Sequence, residues 1–279
     1  MSNTKKIMYY AKNLNDAFYY MNSIANIKIC AGATDEIWRN PETKNLSMPE
    51  YTLSIKDIPE LKMIQRHERY IEFGSCVTLS EIEKQGKAKL PATLYDAIST
   101  IANPFIKNIA TIGGNICNTK MHMTLYATLL ALNAKLEFKN SSETKNITFE
   151  KFTEIPDGML LTKIRIPYDN WNTCVFKRTG PTNKITKDSA SFVFLSDTEN
   201  GTLNSVSIAF TGLLKIKSSS LENNIIGSRL PLSGKIITTM LEDAEAYFET
   251  VALKNKIEYN PMLKMQFLNL LRTTLIKLT

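Results

Sequence analysis

Two periodicities alternate along this chain, and the switches between them mark its elements. Leu14, Ala17, Phe18, Met21 and Ile24 recur at the spacing of one helical face. A short strand over residues 27–30 follows, then a polar loop ending near Asp35. That order puts the loop at the carboxyl end of a strand, where open α/β sheets bind ligands. Leu53, Ile55 and Ile58 predict a strand over 51–58, and residues 63–66 and 70–73 predict a strand pair. Thr78-Leu79-Ser80-Glu81 is a capping box that opens a short helix. Leu94, Ala97, Ile98 and Ile101 form another helix face. It must end by Asn103, because Pro104 disfavours the α region in the residue before it. Residues 106–109 read as a linker. Leu125, Leu129 and Leu132 begin a further helix, and residues 136–138 and 159–166 read as strands, the last ended by Pro167.

Near Asp169 the pattern changes. Strands are predicted at 174–178, 190–196 and 205–210, with Asn200-Gly201 as a hairpin turn. Two helices close the chain at about 235–250 and 261–277, the second with Leu263, Phe267, Leu270, Leu271 and Leu275 on its apolar face. The C-terminal part therefore reads as a small α+β domain with a three-stranded antiparallel sheet and helices. A length of 279 residues agrees with more than one core. The expected boundaries are 1–170, with subdomains of about 1–55 and 56–170, and 171–279.

Composition narrows the function. No apolar run approaches the roughly 18 residues that would span a bilayer. The start, Met1-Ser2-Asn3-Thr4-Lys5-Lys6, makes a poor signal peptide, so a cytoplasmic protein without membrane association is expected. Cys30, Cys76, Cys117 and Cys174 stand far apart with no CxxC spacing, so free, mostly buried thiols are expected rather than a metal or iron–sulfur site. Only two histidines, His67 and His122, are available for catalysis. The net charge of +7 comes from scattered lysines with no nucleic-acid-binding signature, so no nucleic acid is expected. A positive field suits an acidic partner subunit or an anionic cofactor.

Two loops hold the candidate chemistry. Gly113-Gly114 is the one adjacent glycine pair among eleven glycines. Such a pair permits positive φ and lets backbone N–H groups approach a ligand as a phosphate-binding nest. Thr111 adds a hydroxyl and Asn115 an amide. Ala31-Gly32-Ala33-Thr34-Asp35 offers similar chemistry about eighty residues earlier. Neither loop matches GxGxxG or GxxxxGK[ST], so neither a Rossmann fold nor a P-loop is supported. An ordinary tight turn uses the same residues, and spacing alone does not bring the two loops together.

The sequence resembles the FAD-binding subunits and domains of the xanthine dehydrogenase and carbon monoxide dehydrogenase family over nearly its whole length. Ala31-Gly32-Ala33-Thr34-Asp35 is similar to the family's AGGTD loop, and Asn108-Ile109-Ala110-Thr111-Ile112-Gly113-Gly114-Asn115-Ile116 to its NxATIGGNI segment. Leu160-Leu161-Thr162-Lys163-Ile164-Arg165-Ile166-Pro167 resembles the strand closing the flavin domain. Phe176-Lys177-Arg178 and Ile185-Thr186-Lys187-Asp188-Ser189-Ala190 resemble the start of the C-terminal domain. The resemblance implies an α+β fold: a two-subdomain FAD-binding domain (PCMH/vanillyl-alcohol-oxidase-like) followed by the C-terminal domain. It implies FAD as cofactor. Ile29, Cys30, Ala31, Gly32, Ala33, Thr34, Asp35 and Glu36 in the first loop, with Thr111, Ile112, Gly113, Gly114 and Asn115 in the second, would hold its diphosphate. Ile101 would contact the cofactor, Leu161 would lie against the flavin, and Lys177 would be a polar flavin contact. No catalytic acid or base and no metal ligand is implied.

As partners the resemblance implies a molybdopterin-binding large subunit and a [2Fe-2S] small subunit, with NAD+ or another acceptor taking the electrons. The chain also departs from the pattern. Counting thirteen positions past Thr111, where relatives often have an FAD-contacting aspartate, lands on Thr124. Ala33 stands where glycine is common, and Lys184 where an acid is common. These departures keep open a second reading, a scaffold subunit that retains the fold with weak or no FAD binding. A third is a relative that oxidises a small alcohol by itself with FAD, although no histidine stands near either loop for a covalent flavin link.

Overall fold

A computed structural model describes residues 6–34, 49–119, 121–168, 171–181 and 185–278. In chain order the first elements are β1 (Ile7–Tyr10), α1 (Leu14–Ser23), β2 (Lys28–Cys30), β3 (Tyr51–Ser54), β4 (Ile64–Arg66), β5 (Tyr70–Gly74) and α2 (Leu79–Glu83). Next come α3 (Ala92–Ser99), α4 (Pro104–Lys107), α5 (Ile112–Ile116), α6 (Leu125–Ala131), β6 (Lys135–Lys139), β7 (Thr144–Thr148) and β8 (Leu160–Pro167). The last group is β9 (Thr173–Thr179), β10 (Ala190–Glu199), β11 (Thr202–Thr211), β12 (Lys215–Ile216), α7 (Ser219–Asn223), α8 (Gly234–Lys254) and α9 (Pro261–Ile276). The mixed α+β fold is thus the expected one.

The chain divides into two compact units. The first takes residues 1–86, 103–119 and 134–167; the second takes 87–102, 120–133 and 168–279. Within the first unit a parallel three-stranded sheet runs β1-β3-β2. An antiparallel five-stranded sheet runs β4-β5-β8-β6-β7. One core joins them: Ala17 and Phe18 of α1, Leu53 of β3, Leu61, Cys76 and Leu160 pack together. The predicted strand over 51–58 stops at Ser54, because Ile55 turns back and Ile58 donates its N–H to the Ile55 carbonyl. Residues 106–109, expected as a linker, begin instead as the end of α4. Asn103 caps that helix by accepting from the Ile106 N–H, and Pro104 stands at its first turn, where a missing N–H costs nothing.

In the second unit the antiparallel sheet runs β12-β11-β10-β9, so it has a fourth short strand beyond the three expected. Phe192 and Phe194 of β10 join Phe248 of α8 and Phe267 of α9 in one core. The intervening Val193 and Leu195 are buried too. Ser207 of β11 donates to the Ala131 carbonyl of α6 at 2.8 Å, which places α6 against this sheet as well. A strand covered on both faces shows an unbroken apolar run rather than alternation. Asn200 and Gly201 both have positive φ, 51° and 73°, as a type I′ hairpin requires.

Candidate functional site

The two loops meet in the first unit. In register, Tyr10 of β1, Ser54 of β3 and Cys30 of β2 stand side by side at the carboxyl ends of the parallel sheet. The chain leaves β2 through Ala31, Gly32 and Ala33. A Cβ on Gly32 would sit 1.9 Å from the carbonyl oxygen of Ile109, just before the second loop. Only glycine allows that approach. Ala33 has φ of 55°, the left-handed region that favours glycine, so the departure at this position keeps the backbone shape and accepts its strain. The backbone N–H groups of Gly32, Ala33 and Thr34 donate no hydrogen bond to the backbone of another described residue.

The second loop differs from the nest expected of it. Gly113 and Gly114 are not among the positive-φ glycines; they lie in the short helix α5. Thr111 caps that helix, its hydroxyl oxygen accepting from the Gly114 N–H at 3.0 Å. The N–H groups of Ile112 and Gly113 donate to the carbonyls of Val77 and Ser75. Gly113 is required for contact, since a Cβ there would lie 2.5 Å from the Ser75 oxygen. The Thr111 hydroxyl hydrogen remains to serve a ligand, and the buried Asn115 Oδ1 has no hydrogen-bond partner.

A cleft of about 680 Å³ opens between the loops. Cys30, Ala31, Gly32, Ala33 and Thr111 of the expected set line it. Ile29 lies beneath it in β2, and Ile112, Gly113, Gly114 and Asn115 form the helix behind Thr111. Asp35 and Glu36 lie outside the described residues. Leu161 is buried in β8 opposite Phe138. Ile101, Thr124 and Lys177 belong to the second unit. There Ile101 follows α3, Lys177 is exposed in β9 opposite Phe192, and Thr124 is buried at the start of α6. Near Thr124, the Nδ1–H of His122 donates to the Gly212 carbonyl at 2.8 Å, and burial holds the imidazole pKa below its ordinary 6.5.

Sequence reasoning missed Tyr10, Lys56, Thr78, Lys84 and Asn108, all of which line the cleft. Thr78 was visible as a helix cap; what brings it here is its antiparallel bridge to Thr111. Tyr10 was missed because four residues of strand leave almost no periodicity to read.

Of the cysteines, Cys76 is buried, Cys30 and Cys117 are half-buried and Cys174 is exposed, so fewer are buried than expected. Burial pushes the thiols of Cys76 and Cys117 up to about 12. Among the described residues no cluster of His, Cys, Asp or Glu could hold a metal ion. No helix among them is long and apolar enough to cross a membrane.

These features fit a dinucleotide: a cleft, a glycine held against the opposite loop, and N–H groups beside it with no described backbone acceptor. The comparisons with known proteins agree. Residues 2–169, well over half of the chain, match the family described as the FAD binding domain in molybdopterin dehydrogenase. The glyceraldehyde dehydrogenase medium chain of Sulfolobus acidocaldarius is 23% identical over 236 residues, covering 79% of this chain and 80% of that one. An indole-3-acetaldehyde oxidase of Zea mays is 33% identical over 132 residues, 44% of this chain and 10% of the oxidase. The chain spans about a tenth to a fifth of the length of the plant oxidases it matches. Reconstituted CO dehydrogenase from Oligotropha carboxidovorans shares the fold with a TM-score of 0.82 at 19% identity, over 100% of this chain and 97% of that one. Quinoline 2-oxidoreductase from Pseudomonas putida 86 does so with 0.80 at 15% identity, over 99% and 97%. With its family match running from the first strand through β8, the chain belongs to the FAD-binding domain family of the molybdopterin dehydrogenases, whose cofactor is FAD.

Proposed function

We propose that this chain is the electron-transfer flavin subunit of a cytoplasmic molybdenum hydroxylase, working with a molybdopterin-binding large subunit and a [2Fe-2S] small subunit. NAD+ or another carrier is the acceptor. The observation that carries this reading is the cleft in which Gly32 meets the Ile109 carbonyl. Similarity to the glyceraldehyde dehydrogenase medium chain along four fifths of both lengths supports the flavin-subunit reading. FAD, when bound, supplies the junction between one-electron and two-electron transfer.

The protein's part is binding and orientation. Residues 29–36 present the first loop to the diphosphate. Thr111 offers its hydroxyl, and Ile112, Gly113, Gly114 and Asn115 shape the wall behind it rather than donate. Leu161 supplies an apolar contact. By the resemblance, Ile101, Thr124 and Lys177 are further cofactor contacts, Lys177 bringing positive charge to the flavin. The FAD-binding region is proposed to end near residue 170, with 171–279 as the C-terminal domain. Titrating FAD into the purified full chain tests this: saturable one-to-one uptake with a flavin absorbance band is expected, and a chain that stays colourless refutes it.

Thr124 favours a second reading. A buried threonine stands where relatives often use a carboxylate, and its side chain does not cap α6. A scaffold subunit would co-purify with its partners as a flavin-free complex.

A further inference from the structure

The N–H groups of the second loop are spent inside the protein: Ile112 on Val77, Gly113 on Ser75, and Gly114 and Asn115 on Thr111. A cofactor diphosphate brings two negative charges, and a lysine beside it adds charge-assisted contacts to those of neutral N–H donors. The cleft offers positive charge from outside both glycine loops. Its lining includes Lys56, Lys62 and Lys84 against Asp57 and Glu81. Asp57 lies 3.6 Å from Lys62 and offsets part of that charge. Glu81 accepts from the Thr78 backbone N–H and hydroxyl, both at 2.8 Å, and so faces its own helix. Lys56 and Lys84 form no ion pair among the described residues. Lys56 follows β3, beside the row of Tyr10, Ser54 and Cys30, and Lys84 ends α2, the helix that starts at Thr78.

We propose that Lys56 and Lys84 are the cationic partners of the cofactor diphosphate, an assignment that rests on the FAD reading above. Both side chains are exposed and flexible, so each can reach a phosphate oxygen without displacing packed structure. Charge contacts of this exposed kind are each worth a few-fold in affinity and weaken with salt.

The test is FAD titration into the full chain at low and high salt, for wild type, Lys56→Met, Lys84→Met, the double variant and Lys62→Met. At low salt the single variants should each bind about three-fold more weakly, and the double variant about ten-fold. That difference should shrink at high salt. Lys62→Met should lose less, because Asp57 already offsets part of that charge. Arginine at either position should restore affinity, and thermal midpoints should stay at the wild-type value. A double variant that binds FAD as tightly as wild type at low salt overturns the lysine assignment alone. A wild-type chain that takes up no FAD overturns the functional reading and this assignment with it.

Discussion

A single atom decides whether the two loops can meet. Gly32→Ala puts a methyl group 1.9 Å from the Ile109 oxygen, and the backbone must part to admit it. Overpacking of this kind costs about 1–3 kcal/mol. The expected outcome is a folded chain by circular dichroism with FAD affinity down at least about ten-fold, since roughly 1.4 kcal/mol is one decade; unchanged affinity would show that the loops need not touch. Ala33→Gly works in the opposite sense. It relieves left-handed strain of about 1–2 kcal/mol and loses part of that to unfolded-state entropy, for a net gain of about 0.5 kcal/mol in denaturant unfolding. A loss of stability would contradict the strain. Cys30 lines the cleft and Cys174 does not, so bound FAD should protect Cys30 from alkylation and leave Cys174 unaffected. Equal labelling of Cys30 with and without FAD would place the cofactor elsewhere. At this scale the sequence was partly legible. The residues of both loops stood out, but Gly113-Gly114 was misread as a nest because its close contact, Ser75, lies far away in the chain.

At the scale of elements, α2 and α4 hold the second loop between them. Lys107, at the end of α4, reaches Glu83 at the end of α2 with both carboxylate oxygens, at 2.7 and 2.8 Å. The lysine side chain is 9% exposed and the glutamate 28%. Removing one partner of such a pair strands a charge and costs about 3 kcal/mol, whereas replacing both with apolar groups is nearly neutral. Lys107→Met alone should therefore lower the thermal midpoint clearly, and Lys107→Met with Glu83→Leu should recover most of it. A single variant as stable as wild type would show the pair to be idle. The capping box at Thr78 was legible because its signal is local: four residues and two reciprocal hydrogen bonds. The pairing of α2 with α4 was not, since nothing in either segment points to the other. The doubly covered β10 was placed as a strand, but its two faces could not be assigned without the helices that pack on them.

At the scale of the whole molecule, acid should act in two stages. His122 is buried, and burial depresses its pKa despite its hydrogen bond to Gly212. The unfolded state takes the proton first, so stability is full above 6.5 and falls as pH drops from there toward the folded pKa. For Glu72, burial alone would raise the pKa, but the Arg165 hydrogen bond and the Lys163 charge outweigh it and hold it below 4.5. Its contribution is present above 4.5 and lost as pH falls through the lowered value. A thermal midpoint series against pH should show both losses, with His122→Asn removing the upper one and Glu72→Gln the lower. If His122→Asn leaves the upper slope intact, the histidine is not its source. The broad fold class was legible from periodicity and from the near-verbatim loop motif. That residues 87–102 and 120–133 join the second unit was not, because periodicity reports neighbours in the chain and these segments lie far from the rest of that unit.

That interleaving bears on how the chain is made. It passes between the units five times, and α3 and α6 belong with strands that are not complete until Thr211. As the polypeptide emerges from the ribosome, the apolar faces of these two helices must wait through some eighty further residues, Leu94 and Ile98 of α3 for β9, and Leu125 and Leu129 of α6 for β10 and β11. The first unit is complete in sequence by Pro167, but these two helices stay uncovered until the second unit has been made. Nascent chains halted near residue 170 should accordingly be captured by chaperones or proteases, and full-length chains should escape them.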